Sequence, residues 1–272
     1  MDLASLLARV PPYARPLAVK MQARLWFADR LGRRHYDSLS EEELRATRTS
    51  DTAFVFGSGR SLVDITDDEW QRIAECNTIS LREFPRQQWV RVDYHLTSEV
   101  DFLEEYARRL RTNPLYADTV FVVQGGFRAI RGNELVGQRL LRPGSRIFRF
   151  HRSGRGINIP PSRGFSRGLV HGYSSIFDGV NFAYLLGFRR IVLAGVDLYN
   201  KEYFWLSAGE TRTYEKTPLR AEDPFIGAEP ITEMMGDWHD LLASEGVELL
   251  VLNPRSRLAE RLPVYGRSAD AA

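Results

Sequence analysis

The stretch Gly172–Tyr203, GYSSIFDGVNFAYLLGFRRIVLAGVDLYNKEY, decides the fold. It opens on a polar turn at Tyr173-Ser174-Ser175, runs through an apolar segment from Ile176 to Leu186, breaks at Gly187 and resumes as the run IVLAGV from Ile191 to Val196. The first segment has the length and serine start of a helix. The second is a short unbroken apolar run, as found in strands of parallel sheets covered on both faces. It leads into Asp197, Tyr199 and Tyr203, and open α/β sheets place their ligands beyond the carboxyl ends of their strands. A second strand-like run, AFVF from Ala53 to Phe56, leads into the glycine-rich turn Gly57-Ser58-Gly59-Arg60-Ser61. Two strand ends that carry polar groups point to a nucleotide crevice.

Outward from these anchors, strand and helix patterns alternate from Thr52 onward. FVFG, CNTISL, VRVDYHLTS, TVFVVQ and VELLVLN read as strands; ITDDEWQRIAE, DFLEEYARRLRTN and residues 232–245 read as helices. That order predicts an α/β fold: one Rossmann-like domain with a mostly parallel, doubly wound sheet. Residues 1–48 are expected as a basic helical extension, 49–265 as the nucleotide-sugar-binding domain and 266–272 as a disordered tail. The stretches 125–170 and 200–230 exceed ordinary connection lengths and are expected as lid-like or acceptor-binding insertions. Ser40 with Glu43 matches a capping box at a helix start.

A chain of 272 residues with 43% hydrophobic and 26% charged residues is ordinary for a soluble globular protein. One cysteine, Cys76, excludes a disulfide framework and a cysteine-rich metal site. The apolar run at Leu3–Leu7 is too short for a signal peptide and is followed by Pro11-Pro12, so the expected address is the cytoplasm. The net charge of +2 hides an asymmetry. Ten arginines and one acid, Glu134, lie between Gln124 and Val170, and seven Lys/Arg face two acids in residues 1–36. Such fields attract phosphates, acidic glycans or the cytoplasmic leaflet. Leu17, Met21, Leu25, Ala28 and Leu31 recur at helical spacing among basic residues, which reads equally as a membrane-surface helix or as a helix packed on the main domain.

The glycine turn, with Gly57, Ser58, Gly59 and Ser61, suits a phosphate or ribose; it lacks the third glycine of the dinucleotide fingerprint and the Gly-Lys-Ser/Thr of a P-loop. Asn77 offers an amide to a base or ribose, or caps a strand. Ser174 and Ser175 at a helix N-terminus suit a carboxylate, or form a plain N-cap. The sequence holds no DxD pair and no zinc-ligand spacing, which argues against metal–diphosphate clamps.

GSGRSL, CNTISL, the block YSSIFDGVNFAYLLGFRRIVLAGVDLY and LLVLNPRSRLAERLP together resemble the bacterial sialyltransferases of the lipooligosaccharide type, over about a third of the chain. The resemblance implies a metal-independent transferase without a cofactor, with a CMP-activated acidic sugar as donor and an anionic glycan or glycolipid as acceptor. It places Ser58 and Asn77 on the nucleotide, Ser174 and Ser175 on the donor carboxylate, and Tyr199, with Tyr203 as a second tyrosine, on the departing phosphate. Apart from the resemblance, Asp197 at its strand end is expected to orient a neighbour or to serve as a catalytic carboxylate. Where that family has its base histidine, after an Ile-Gly pair, this chain reads Ile226-Gly227-Ala228-Glu229, and Arg60 replaces a proline. His171, His239, Glu229 and Asp223 are the alternatives for the base. No nucleic-acid partner is expected, self-association stays open, and the basic N-terminus suits peripheral placement on the inner membrane. Proteins related to the archaeal 6-hydroxymethylpterin diphosphokinase share the general pattern and would imply ATP and magnesium. A non-catalytic membrane scaffold for polysaccharide assembly is the third alternative.

Overall fold

The computed structural model describes residues 15–97, 100–127, 129–154, 156, 158–207, 210 and 228–266. Its frame is an eight-stranded sheet in which every pairing is parallel. The strands are β1 (Asp37–Ser38), β2 (Thr52–Phe56), β3 (Asn77–Leu81), β4 (Tyr94–Thr97), β5 (Val120–Gln124), β6 (Arg146–Phe150), β9 (Arg190–Ala194) and β10 (Glu248–Val251), in the order β1-β6-β5-β4-β3-β2-β9-β10. A separate two-stranded ladder joins β7 (Arg152–Gly154) to β8 (Leu169–Val170). Helices α1 (Arg15–Gly32), α2 (Glu41–Ala46), α3 (Asp67–Ala74), α4 (Leu103–Thr112), α5 (Ile130–Gly137), α6 (Ser175–Leu186) and α7 (Ala228–Ser244) accompany the sheet.

Alternation along each strand divides the core in two. Ala53, Val55, Val120, Val122, Ile191 and Leu193 point to the face covered by α6 and α7. Phe54, Phe56, Phe121, Val123, Val192 and Ala194 point to the face covered by α3, α4 and α5. Burial on both faces explains why the strands read as continuous apolar runs. Helix α6 is buried almost all round, and a Cβ on Gly179 would lie 2.7 Å from Val55 Cγ1, so glycine lets the helix rest on β2. Gly187, at φ 87°, ends the helix in the left-handed conformation that only glycine adopts without strain.

Two expectations change. The stretch 125–170 is no long loop. It contributes α5, a full member of the sheet in β6, and the β7–β8 ladder. Many of its arginines have partners within the chain: Arg142 donates to Arg111 O, Arg146 to Asp118 O, and the part-buried Arg149 and Arg152 pair with Asp29 and Asp178. Arg163 pairs with Glu245 and Arg131 with Glu134. Much of the +9 field is therefore neutralised or directed at carbonyls rather than presented to an acceptor. Arg128 and Arg155 lie outside the described residues, as do residues 211–227 of the second expected insertion and 267–272 of the expected tail.

Helix α1 packs closely on α5. A Cβ on Gly32 would lie 2.2 Å from Val136 O, and one on Gly137 would lie 2.8 Å from Ala28 C. Between them Asp29, fully buried, binds Arg149 at 2.7 Å and Arg33 at 2.6 Å. Removing one partner of such a buried pair costs about 3–5 kcal/mol, against roughly 0.2–1 kcal/mol for an exposed pair such as Arg190–Glu248. The packed-helix reading thus holds for one face of α1.

In β4, His95 is wholly buried, with Ser80 Oγ 2.6 Å from Nδ1 and the Tyr106 hydroxyl on Nε2. Burial pushes its pKa from 6.5 down to about 3. The unfolded chain then takes up this proton first, so stability falls as pH drops through 6.5 and goes on falling toward 3. Urea midpoints measured across that window are expected to decline steeply in the wild type and less in His95→Gln; parallel profiles would refute the assignment.

Candidate functional site

Strands β2 and β9 are neighbours, yet the chain leaves β2 toward β3 and reaches β9 only after building the rest of that side. This reversal is a topological switch point, where a crevice opens at the carboxyl ends of the strands. A cavity of about 420 Å³ lies there, within the size range of small-molecule sites.

Its floor is the meeting of two turns. Gly57 N and Gly59 N donate to Ala194 O at 2.8 Å and Gly195 O at 2.7 Å, carrying the β2–β9 ladder beyond the strands. A Cβ on Gly57 would lie 2.3 Å from Gly195 O, and one on Gly59 2.3 Å from Asp197 Oδ2. Glycine is therefore needed here for close approach of backbone to backbone. Asp197, 4% exposed, accepts from Ser61 N at 2.9 Å, from Ser61 Oγ and from Asn253 Nδ2 at 3.0 Å. The carboxylate thus ties the turns after β2, β9 and β10 together. Leu198 beside it has φ 63° and Arg82, at the end of β3, has φ 47°. Both line the crevice, and non-glycine residues in this left-handed region cluster at ligand sites.

The loop after Leu198 forms one wall. Tyr203 bridges to Gly59, Phe204 N donates to Ser58 O, and Arg60 reaches Leu206 O at 2.8 Å. Phe204 buries against Phe84 and Trp89 while Tyr203 stacks on Trp205. Alternate residues thus anchor the loop and face the cavity. The opposite wall is the N-terminus of α6. Ser174 Oγ caps Ile176 N, and Ser175 opens the helix with its N–H free of the ladder. His171, 6% exposed, holds Nδ1 2.7 Å from Asp178 Oδ2, and Arg152 approaches the same oxygen at 3.0 Å. A carboxylate on Nδ1–H fixes the tautomer in which Nε2 carries the lone pair.

Of the residues singled out in the sequence, Gly57, Ser58, Gly59, His171, Ser174, Ser175, Asp197 and Tyr203 line this crevice. Others do not. Asn77 begins β3 at the amino end of the sheet, fully buried, where Oδ1 accepts from Thr49 N and Ser50 N and Nδ2 donates to Asp93. It clamps the strand entry and cannot read a base. Ser61 is held by Asp197. The Tyr199 hydroxyl lies 3.5 Å from Asn253 Nδ2, outside the crevice lining, and burial with the nearby Asp197 charge raises its pKa. His239 binds Leu249 O by the amino end of β10, Glu229 sits exposed in the first turn of α7, and Asp223 is outside the described residues. The sequence reading missed Arg82, Asn200 and Glu202, all on the cavity wall, and Asn253 behind it. The signal was present for Arg82, since it follows the carboxyl end of β3 as Asp197 follows β9. Arg82 makes no ion pair or hydrogen bond among the described residues.

Among the described residues no three His, Cys, Asp or Glu side chains converge as a metal site. No family model matches the chain, and no curated protein matches it. A solved structure, that of the MAf glycosyltransferase from Magnetospirillum magneticum AMB-1, is similar over 82% of this chain and 35% of its own, with 14% identity and a TM-score of 0.49. The chain thus spans about a third of the length of that protein.

All the groups around the Asp197 carboxylate donate, so Asp197→Asn must turn an amide N–H toward another donor. The free energy of unfolding should drop by about 2 kcal/mol, read from urea titration. An unchanged midpoint would show that the carboxylate does not hold the three turns.

Proposed function

We propose that the chain is a metal-independent glycosyltransferase that moves an acidic sugar from a CMP-activated donor to a cell-surface glycan or glycolipid. The observation that carries this reading is the pairing, across one switch-point crevice, of an Asp-oriented histidine with neutral and cationic donors. The glycine turn at Gly57–Gly59 receives the nucleotide, with Ser58 toward the ribose. Ser174 and Ser175, with the positive end of α6, receive the donor carboxylate. Asn200 and Glu202 face sugar hydroxyls.

In the transfer step the acceptor oxygen bonds to the anomeric carbon as the bond from that carbon to the phosphate oxygen breaks. The electron pair leaves with CMP, and the acceptor proton passes to His171 Nε2. Asp178 stabilises the imidazolium that forms. Negative charge develops on the leaving phosphate, where the Arg82 guanidinium and the Tyr203 hydroxyl, both on the crevice wall, stabilise it. This gives to Tyr203 and Arg82 the role first expected of Tyr199, and to His171 the place of the base missing after Gly227. Arg60, in place of a proline, serves the loop clamp at Leu206 O.

Release of CMP from CMP-sialic acid and CMP-Kdo, with oligosaccharide acceptors, tests the reading. His171→Gln is expected to lower kcat by roughly 10²–10⁴-fold, the usual worth of a general base, with little change in donor KM. Asp178→Asn should move in the same direction by less. Full turnover in His171→Gln would remove the histidine from the mechanism, and absence of CMP release by the wild type with every acceptor would contradict the transferase.

A further inference from the structure

Helix α1 buries one face on α5 and leaves the other open. Along the open face Lys20, Arg24, Phe27 and Leu31 recur at spacings of three and four, a single stripe, and Arg34 follows in the 3-10 turn Arg33–His35 just beyond the helix. Phe27 is 59% exposed and Leu31 60%, with Met21 at 52% on one margin. Arg30 lies on the other margin, its guanidinium 5.7 Å from the Trp26 ring. No acid of the described residues pairs with Lys20, Arg24 or Arg34. Asp29 is the only acid of the helix, and it is turned inward and neutralised by Arg149 and Arg33. Among the described residues the outward face of the helix therefore carries cations and apolar side chains and no acid. No helix among the described residues is long and apolar enough to cross a membrane.

We propose that this face docks on an anionic lipid surface, with Phe27 and Leu31 entering the interface between acyl chains and headgroups and the four cations lying on lipid phosphates. A basic helix with exposed aromatic and aliphatic side chains between its cations has the composition of an interfacial helix. Charge complementarity selects the lipid over a second copy. A two-fold contact through the same stripe sets the cations of one copy, Lys20, Arg24, Arg30 and Arg34, against the same set on the other, and the two sets repel. The glycine contacts and the Asp29 ion pairs hold the opposite face to the domain, so the stripe is presented as a rigid surface and its orientation does not depend on the ligand. This inference is independent of the donor assignment.

Co-sedimentation of the full chain with phosphatidylcholine vesicles, with and without phosphatidylglycerol, tests it. Pelleting is expected only with phosphatidylglycerol and should weaken as salt rises. Each cation near an anionic surface contributes on the order of fivefold in partitioning, so Arg24→Ala with Arg34→Ala should weaken binding on the order of 25-fold. Phe27→Glu with Leu31→Glu, at solvent-exposed positions, should abolish it while the circular dichroism melt stays unchanged. Three results would overturn the proposal: no phosphatidylglycerol-dependent pelleting, equal pelleting of the Glu variant, or a concentration-dependent dimer that the Glu variant dissociates while vesicles are ignored.

Discussion

The close approach of two glycine turns, Gly57–Gly59 and Gly195–Asp197, is the constraint on which the site depends. Backbone at one turn occupies the space where a Cβ on the other would lie, so the ends of β2 and β9 are locked at one separation. Asp197 then uses its carboxylate as a buried acceptor for Ser61 and Asn253. Three loops that arrive from distant parts of the chain become one floor. The walls are set against that floor, by Phe204 in its aromatic seat on one side and by α6, buried almost all round, on the other. The chemistry proposed for the crevice requires such fixity, because fixed donors stabilise developing charge best when they need not reorganise.

Much of this was legible in the sequence, and for a definite reason. β2 and β9 are buried on both faces, so their residues are apolar without interruption, and a strand followed by glycines announces its carboxyl end. The helix over Ile176–Leu186 and its stop at Gly187 were equally plain, as was the capping box at Ser40 and Glu43, which the structure forms with both reciprocal hydrogen bonds. Local chemistry determines these features, and local chemistry is what a sequence displays.

The misreadings share a different cause. β6 carries Arg149 inside the protein, and the apolar run is broken by a charge whose partner, Asp29, lies 120 positions earlier. Nothing near β6 announces that neutralisation, so the strand was taken for loop. Asn77 and Arg82 flank the same strand, and a polar residue at either end looks alike until strand direction is known. Direction sends Arg82 to the crevice and Asn77 to a backbone clamp. His171 and Asp178 were both visible, but their contact depends on the turn at Gly172, whose φ of 53° folds the histidine back over the first turn of α6.

The central claim is that the switch-point crevice holds a cytidine nucleotide without the help of a metal. Calorimetric titration of the full chain with CMP, in the presence and absence of EDTA, addresses it most directly when run beside UDP, GDP and ATP. The account predicts selective binding of CMP with an affinity that EDTA does not alter. A preference for ATP in magnesium, or no heat with any nucleotide, would contradict it.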